Sequence, residues 1–133
     1  MKIKLYLLTL VVFLAIDSLW LGLVAPRFYQ VQIGHLMAET ANLPAAGIFY
    51  LLFVGALVYF ILAPGVSGET TMQEVLLRGA LFGLVTYATY DLTNLATLRD
   101  WPVLVTVVDM VWGTVLTAVI SVISVWAGRR IHA

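Results

Sequence analysis

Long apolar runs alternate with short polar stretches along the whole chain, and the length of each run is the first structural signal. A helix that crosses a bilayer needs roughly 20 mostly apolar residues at 1.5 Å rise per residue. Four segments meet that length: about 3–25, 44–63, 72–98 and 101–127. Their ends carry stop and start signals. Pro26 follows the first segment, and Asn42 can cap the second, which has Pro44 in its first turn. Pro64-Gly65 is expected to stop the second, and Thr71 with Glu74 reads as a capping box for the third. Asp100 is expected to cap the fourth, with Pro102 in its first turn. Lys2 and Lys4 precede the first run as in a secretory leader, but the run is too long and has no clean small-x-small site before Pro26.

The pattern predicts an all-α, polytopic membrane protein. It forms a four-transmembrane-helix bundle, a single membrane-embedded domain over residues 1–133. With four spans both termini share a side, which holds Lys2, Lys4, Arg78, Arg129 and Arg130 against Arg27 and Arg99 on the other. The positive-inside rule then places both termini in the cytoplasm. Between the first and second spans, Tyr29, Ile33, Leu36 and Met37 share one face of residues 27–41. That spacing predicts a short amphipathic helix in the outer interface.

Composition agrees with a lipid environment. The 133 residues are 62% hydrophobic and 11% charged, against about 25% charged in soluble domains. Seven Lys and Arg balance seven Asp and Glu, so no basic excess is available to neutralise phosphates and no nucleic-acid partner is expected. No cysteine is present, which removes disulfides and thiolate chemistry.

Three acids stand inside the predicted spans. Asp17 lies eight residues before Ala25, Asp91 eight before Arg99, and Asp109 eight after Trp101. With the first and third helices running outward and the fourth inward, the three reach one level, about 12 Å below the outer interface. Helical periodicity places Asp17 on one face with Tyr6, Thr9, Phe13 and Trp20. In the third helix Gly79, Gly83, Thr86, Tyr87, Tyr90, Asp91, Asn94 and Thr97 share an arc of about 160°. The opposite side, with Leu81, Leu84, Ala88, Leu92 and Leu95, suits lipid. Asp109 aligns with Thr106, Gly113, Thr117, Ser121 and Ser124. Small residues at four-residue spacing, as in Gly79/Gly83 and Gly113/Thr117/Ser121, let helix backbones approach closely. Helices one, three and four are therefore expected to pack around the acids, with the charge-free second helix peripheral or at an oligomer contact.

A buried carboxylate is costly unless it is paired, protonated or hydrogen-bonded. No basic residue lies at that depth, so the candidate proton- or ligand-binding set is Asp17, Trp20, Tyr87, Tyr90, Asp91, Asn94, Asp109 and Trp112. Acids held close together would titrate as a group. Trp101 and Trp126 fall at the two interfaces, where tryptophan commonly anchors. His35 and Glu39 have metal-compatible spacing but no third ligand, so no metal site is assigned. No nucleophile–base pair can be assembled, because neither histidine reaches the acids.

Several motifs have a familial look: Ile16-Asp-Ser-Leu-Trp-Leu-Gly22, Phe28-Tyr29 with Ile33-Gly34, and Ala45-Ala-Gly-Ile-Phe-Tyr50. With them go Tyr87-Ala-Thr-Tyr-Asp-Leu-Thr-Asn-Leu-Ala-Thr97, Trp101-Pro102 and Val108-Asp-Met-Val-Trp-Gly-Thr114. Together they resemble a family of small four-helix bacterial inner-membrane proteins known as a domain of unknown function. The resemblance implies a multi-pass protein of the bacterial inner (cytoplasmic) membrane. It implies no activity and no cofactor.

The residues themselves point to a polar three-aspartate pocket that binds a proton or cation together with a small-molecule or lipidic ligand, as in a small transporter or accessory subunit. Transport through so small a protomer would favour a homodimer. Two rival readings use the same acids. One is a membrane enzyme acting on a lipid or isoprenoid-like substrate, with the acids holding Mg²⁺ or serving as general acid. The other is a structural or assembly protein whose acids only specify helix packing.

Overall fold

A computed structural model describes residues 2–131. Among them every regular element is helical. Helix α1 spans Lys2–Leu23, and α2 spans Ala25–Ile33, with Pro26 in its first turn, where a missing N–H is harmless. A 3₁₀ turn at Gly34–Leu36 leads to α3, Leu43–Leu57. The Asn42 side chain caps α3 by accepting from the Ala45 N–H at 3.1 Å.

The second long helix does not stop at Pro64. It widens into a π turn at Val58–Leu62 and continues as α4, Ala63–Val66. The Ala63 N–H donates to the Val58 carbonyl, one residue further back than in an α-helix. This wider turn absorbs the donor that proline lacks, so the helix persists where proline was expected to end it.

Gly68, with φ +85°, turns the chain toward α5, Met72–Thr97. Thr71 caps α5 by accepting from the Glu74 N–H at 3.1 Å, while the Glu74 carboxylate accepts from the Thr71 hydroxyl at 3.4 Å. Helix α6 runs from Val103 to Ile131. Asp100 is not its cap. It stands 3.7 Å from His35 on the exposed surface, and the Pro102 carbonyl accepts from the Thr106 N–H instead.

Among the described residues, three helical stretches are long and apolar enough to cross a membrane: Lys2–Leu23, Leu43–Val66 and Val103–Ile131. Helix α5 has the length but a more polar composition. Its exposed positions include Leu77, Leu81, Val85 and Leu92 beside the polar Thr89 and Thr93. Contiguous exposed apolar residues also run along α1, α3 and α6, which marks a lipid-facing surface.

The close pairing of α5 with α6 organises the bundle. A methyl group added at Gly83 would run into the Gly113 carbonyl and the Thr117 side chain, and one at Gly79 into Ser121. These contacts have the small-residue spacing that brings backbones together. Toward the termini, the core gathers Leu5, Leu57, Leu62, Val75, Leu116 and Ile120 from all four long helices. The 43–66 helix therefore supplies much of the core through Phe53, Val54, Leu57, Ile61 and Leu62. It is not peripheral: its apolar sequence fills the centre as well as facing lipid.

At the opposite end α2 packs against the start of α6 and the end of α5. A second small cluster forms there from Ile33, Trp101 and Val105, with Phe28, Tyr29 and Leu95 against it. Leu95 thus belongs to this cluster rather than to a lipid face.

Candidate functional site

Asp17 and Asp91 each lie six residues before the ends of α1 and α5, and Asp109 lies six after the start of α6. Two helices running one way and a third running the other, in matching register, thus bring the acids to a common level. Asp17 continues the buried stripe Leu5, Thr9, Phe13, spaced by four. Asp91 continues Val75, Gly79 and Gly83, and Asp109 opens the buried stripe of α6 that includes Gly113, Thr117 and Ser121.

A cavity of about 450 Å³ opens at this level. Asp17 and Asp109 line it together with Trp20, Tyr50, Tyr87 and Trp112. Tyr29, Ile33 and Met37 line it from α2 and the segment that follows, while Tyr90, Phe49 and Trp101 complete the rim. None of the lining residues is basic. A second hollow of about 370 Å³ is bounded by Phe49, Thr86, Tyr87 and Tyr90, three of which also bound the first. The two spaces share a wall between α3 and α5.

Each of the two lining carboxylates accepts a phenol from another element. Tyr50 donates to Asp17 Oδ2 at 2.9 Å. Tyr29 donates to Asp109 Oδ1 and accepts from the Trp20 indole N–H at 3.2 Å. Trp20 stacks on Trp112 with ring centroids 4.3 Å apart and planes 11° from parallel. The Trp112 N–H lies beside Asp17 without meeting hydrogen-bond geometry. Burial, reinforced by the hydrogen bond to Asp109, holds the Tyr29 phenol above the ordinary tyrosine range. Tyr29 is therefore a donor throughout neutral pH.

Asp91 is fully buried behind the cavity wall, and neither carboxylate oxygen finds a donor. It faces Asp109 across the α5–α6 seam.

Of the eight candidate residues, Asp17, Trp20, Tyr87, Tyr90, Asp109 and Trp112 meet in one cavity. Asp91 stands behind it, and Asn94 is outside its lining. Trp101 departs from the expected interfacial anchor: it is buried, and its indole N–H donates to Thr106 Oγ1 at 3.1 Å. Trp126 remains exposed, with the Arg130 guanidinium 4.2 Å over its ring.

Sequence reasoning missed Tyr29 and Tyr50 as partners of the acids. Tyr29 was legible only as part of an amphipathic face, and Tyr50 lies in a helix without charge. Neither tyrosine has a local partner that would announce its role, since each donates to an acid on a distant helix.

Among the described residues no three His, Asp or Glu side chains cluster closely enough to hold a metal ion. Comparison with curated proteins and with solved structures finds no match in either. A family model does match, over residues 2–126, nearly the whole chain. The chain therefore belongs to the family described as "Predicted membrane protein (DUF2177)".

Proposed function

We propose that the chain is a four-span protein of the bacterial inner membrane whose aromatic and acidic cavity holds a proton or cation together with a small or lipidic ligand. In this reading both termini are cytoplasmic, and α5 is the fourth span. At 26 residues α5 measures about 39 Å, enough to cross the bilayer, and Gly79, Gly83 and Asp91 lie on its buried side while Leu77, Leu81, Leu84 and Leu92 are exposed. The cavity then lies in the outer half, with α2 at the outer interface above it.

One observation carries the proposal: Asp17 and Asp109, on separate helices, line the same cavity. Intramembrane acids around a cavity usually mark an ion, proton or ligand site. Such a site suits a small transporter or a ligand-holding subunit, and transport would favour a dimer. Mass spectrometry of amphiphiles retained by the protein in mild detergent tests the reading. A retained species should be depleted in Asp17→Asn and Asp109→Asn, and identical retention in both variants contradicts it.

The phenol partners of Asp17 and Asp109 favour a second reading, in which the acids only fix helix positions. It predicts that Asp→Asn variants lose folding or partner association in proportion, with no separate binding defect. No lining side chain specifically favours an enzyme acting on lipid.

A further inference from the structure

We propose that the ligand is a hydrophobic organic cation, with its ammonium or phosphonium-like head among Asp17, Asp109 and the aromatic rings and its apolar part along the groove between α3 and α5. This rests on the preceding reading of the cavity as a ligand site and names the chemistry of the ligand.

Three features of the cavity select that chemistry. The first is sign. Two carboxylates line the space and no basic side chain does, so an anion would meet like charge there. The second is the wall. Trp20 and Trp112 lie stacked beside Asp17, and Tyr50 and Tyr87 line the same cavity. Aromatic faces beside carboxylates attract an organic cation through the ring quadrupole, and they do so without stripping the tight hydration shell that a small metal ion would have to lose. The hydrogen bonds from Tyr29 and Tyr50 leave each carboxylate with further acceptor sites.

The third feature is the route. The neighbouring hollow bounded by Phe49, Thr86, Tyr87 and Tyr90 shares three of its four residues with the cavity. Phe49 and Tyr90 are about half exposed on the lipid-facing surface. An amphiphile can therefore place its charge beside the acids while its tail remains in an apolar channel continuous with lipid. A strongly hydrated inorganic cation would gain nothing from that channel.

The experiment uses two ions of nearly the same shape and opposite charge, tetraphenylphosphonium and tetraphenylborate, together with the neutral amphiphile 1-decanol. Binding of each to the protein in nanodiscs is measured by equilibrium dialysis, with empty nanodiscs subtracted. The unaltered protein should bind the phosphonium saturably and at least about tenfold tighter than the borate, a gap of the size expected for one lost ionic contact. In the Asp17→Asn/Asp109→Asn protein that preference should disappear. Borate binding equal to or tighter than phosphonium binding overturns the inference, and this comparison needs no variant, so it stands even if the double substitution prevents folding. Phosphonium binding unchanged by the double substitution also overturns it. In either case saturable decanol binding leaves the cavity standing as a ligand site of another class. Absence of saturable binding for all three probes removes the ligand site itself.

Discussion

Tyr29 and Asp109, 80 residues apart in the chain, are joined by a hydrogen bond that ties α2 to α6 across the mouth of the cavity. Removing the hydroxyl leaves a carboxylate oxygen in a largely buried site without its donor. Tyr29→Phe should therefore cost about 1–3 kcal/mol, and it should loosen α2 more than the rest of the bundle. Hydrogen exchange read by mass spectrometry checks this. Faster exchange confined to residues 25–33 is expected, and uniform protection would show that the bond does not hold α2 in place.

The α5–α6 seam makes a sharper steric prediction. Gly83→Ala meets the Gly113 backbone carbonyl, and Gly113→Ala meets the Tyr87 ring. Each should destabilise the fold by about 1–3 kcal/mol through overpacking. A methyl group added at Gly47 would meet nothing within 4 Å. Gly47→Ala should therefore be neutral or stabilising, by up to about 1 kcal/mol from helix propensity. Unfolding in denaturing detergent, followed by circular dichroism, separates the two classes.

Arg129 has a role beyond setting orientation. Its Nε donates to the Gly65 carbonyl at 2.9 Å, and its terminal nitrogen donates to the Thr70 carbonyl at 3.1 Å. It thereby fastens the 65–70 turn to the end of α6. Arg129→Ala should lower stability by about 1.5–3 kcal/mol. Arg129→Lys should recover only part of that loss, since an ammonium lacks the planar fork. Full recovery by lysine would mean that charge alone matters at this position.

The Tyr29 phenol is held above its ordinary range, first by burial and then by Asp109. A raised value favours the protonated form in the folded state. Its contribution to stability is therefore complete below about pH 10, where a free tyrosine begins to ionise, and is lost as pH rises further. Phenolate absorbance should show tyrosine ionisation that comes only together with unfolding, and Tyr29→Phe should lower the amplitude of that step by one phenol. An early, fully reversible ionisation of Tyr29 in the folded protein would contradict the hydrogen bond.

The elements that sequence made legible were those with a strong one-dimensional signal. Apolar run length located the long helices, and period-four spacing placed Asp17 with Phe13, Asp91 with Gly83, and Asp109 with Gly113 on buried faces. Asn42 and Thr71 were recognisable caps because their partners are local. Pro64 misled because a π turn offsets its missing donor, which no local pattern announces. The 43–66 helix looked peripheral because uniform hydrophobicity does not distinguish a lipid-facing surface from a protein core. Trp101 was obscured for a similar reason: an aromatic residue near a helix end fits both lipid interface and buried wall. The pairing of Tyr29 with Asp109 joins distant segments, so it needed the fold.

The chain has no cysteine, so a single introduced thiol reports its own surroundings without background. Asp109→Cys lines the cavity, whereas Val107→Cys lies on the exposed apolar surface of α6. The decisive measurement is the rate at which a small cationic methanethiosulfonate, added from the aqueous phase, modifies each thiol in the membrane-embedded protein. An acidic cavity that admits cations predicts modification at 109 at least about tenfold faster than at 107, because the reactive thiolate needs a polar, accessible setting. Equal rates, or a thiol at 109 as inert as one facing lipid, would contradict it.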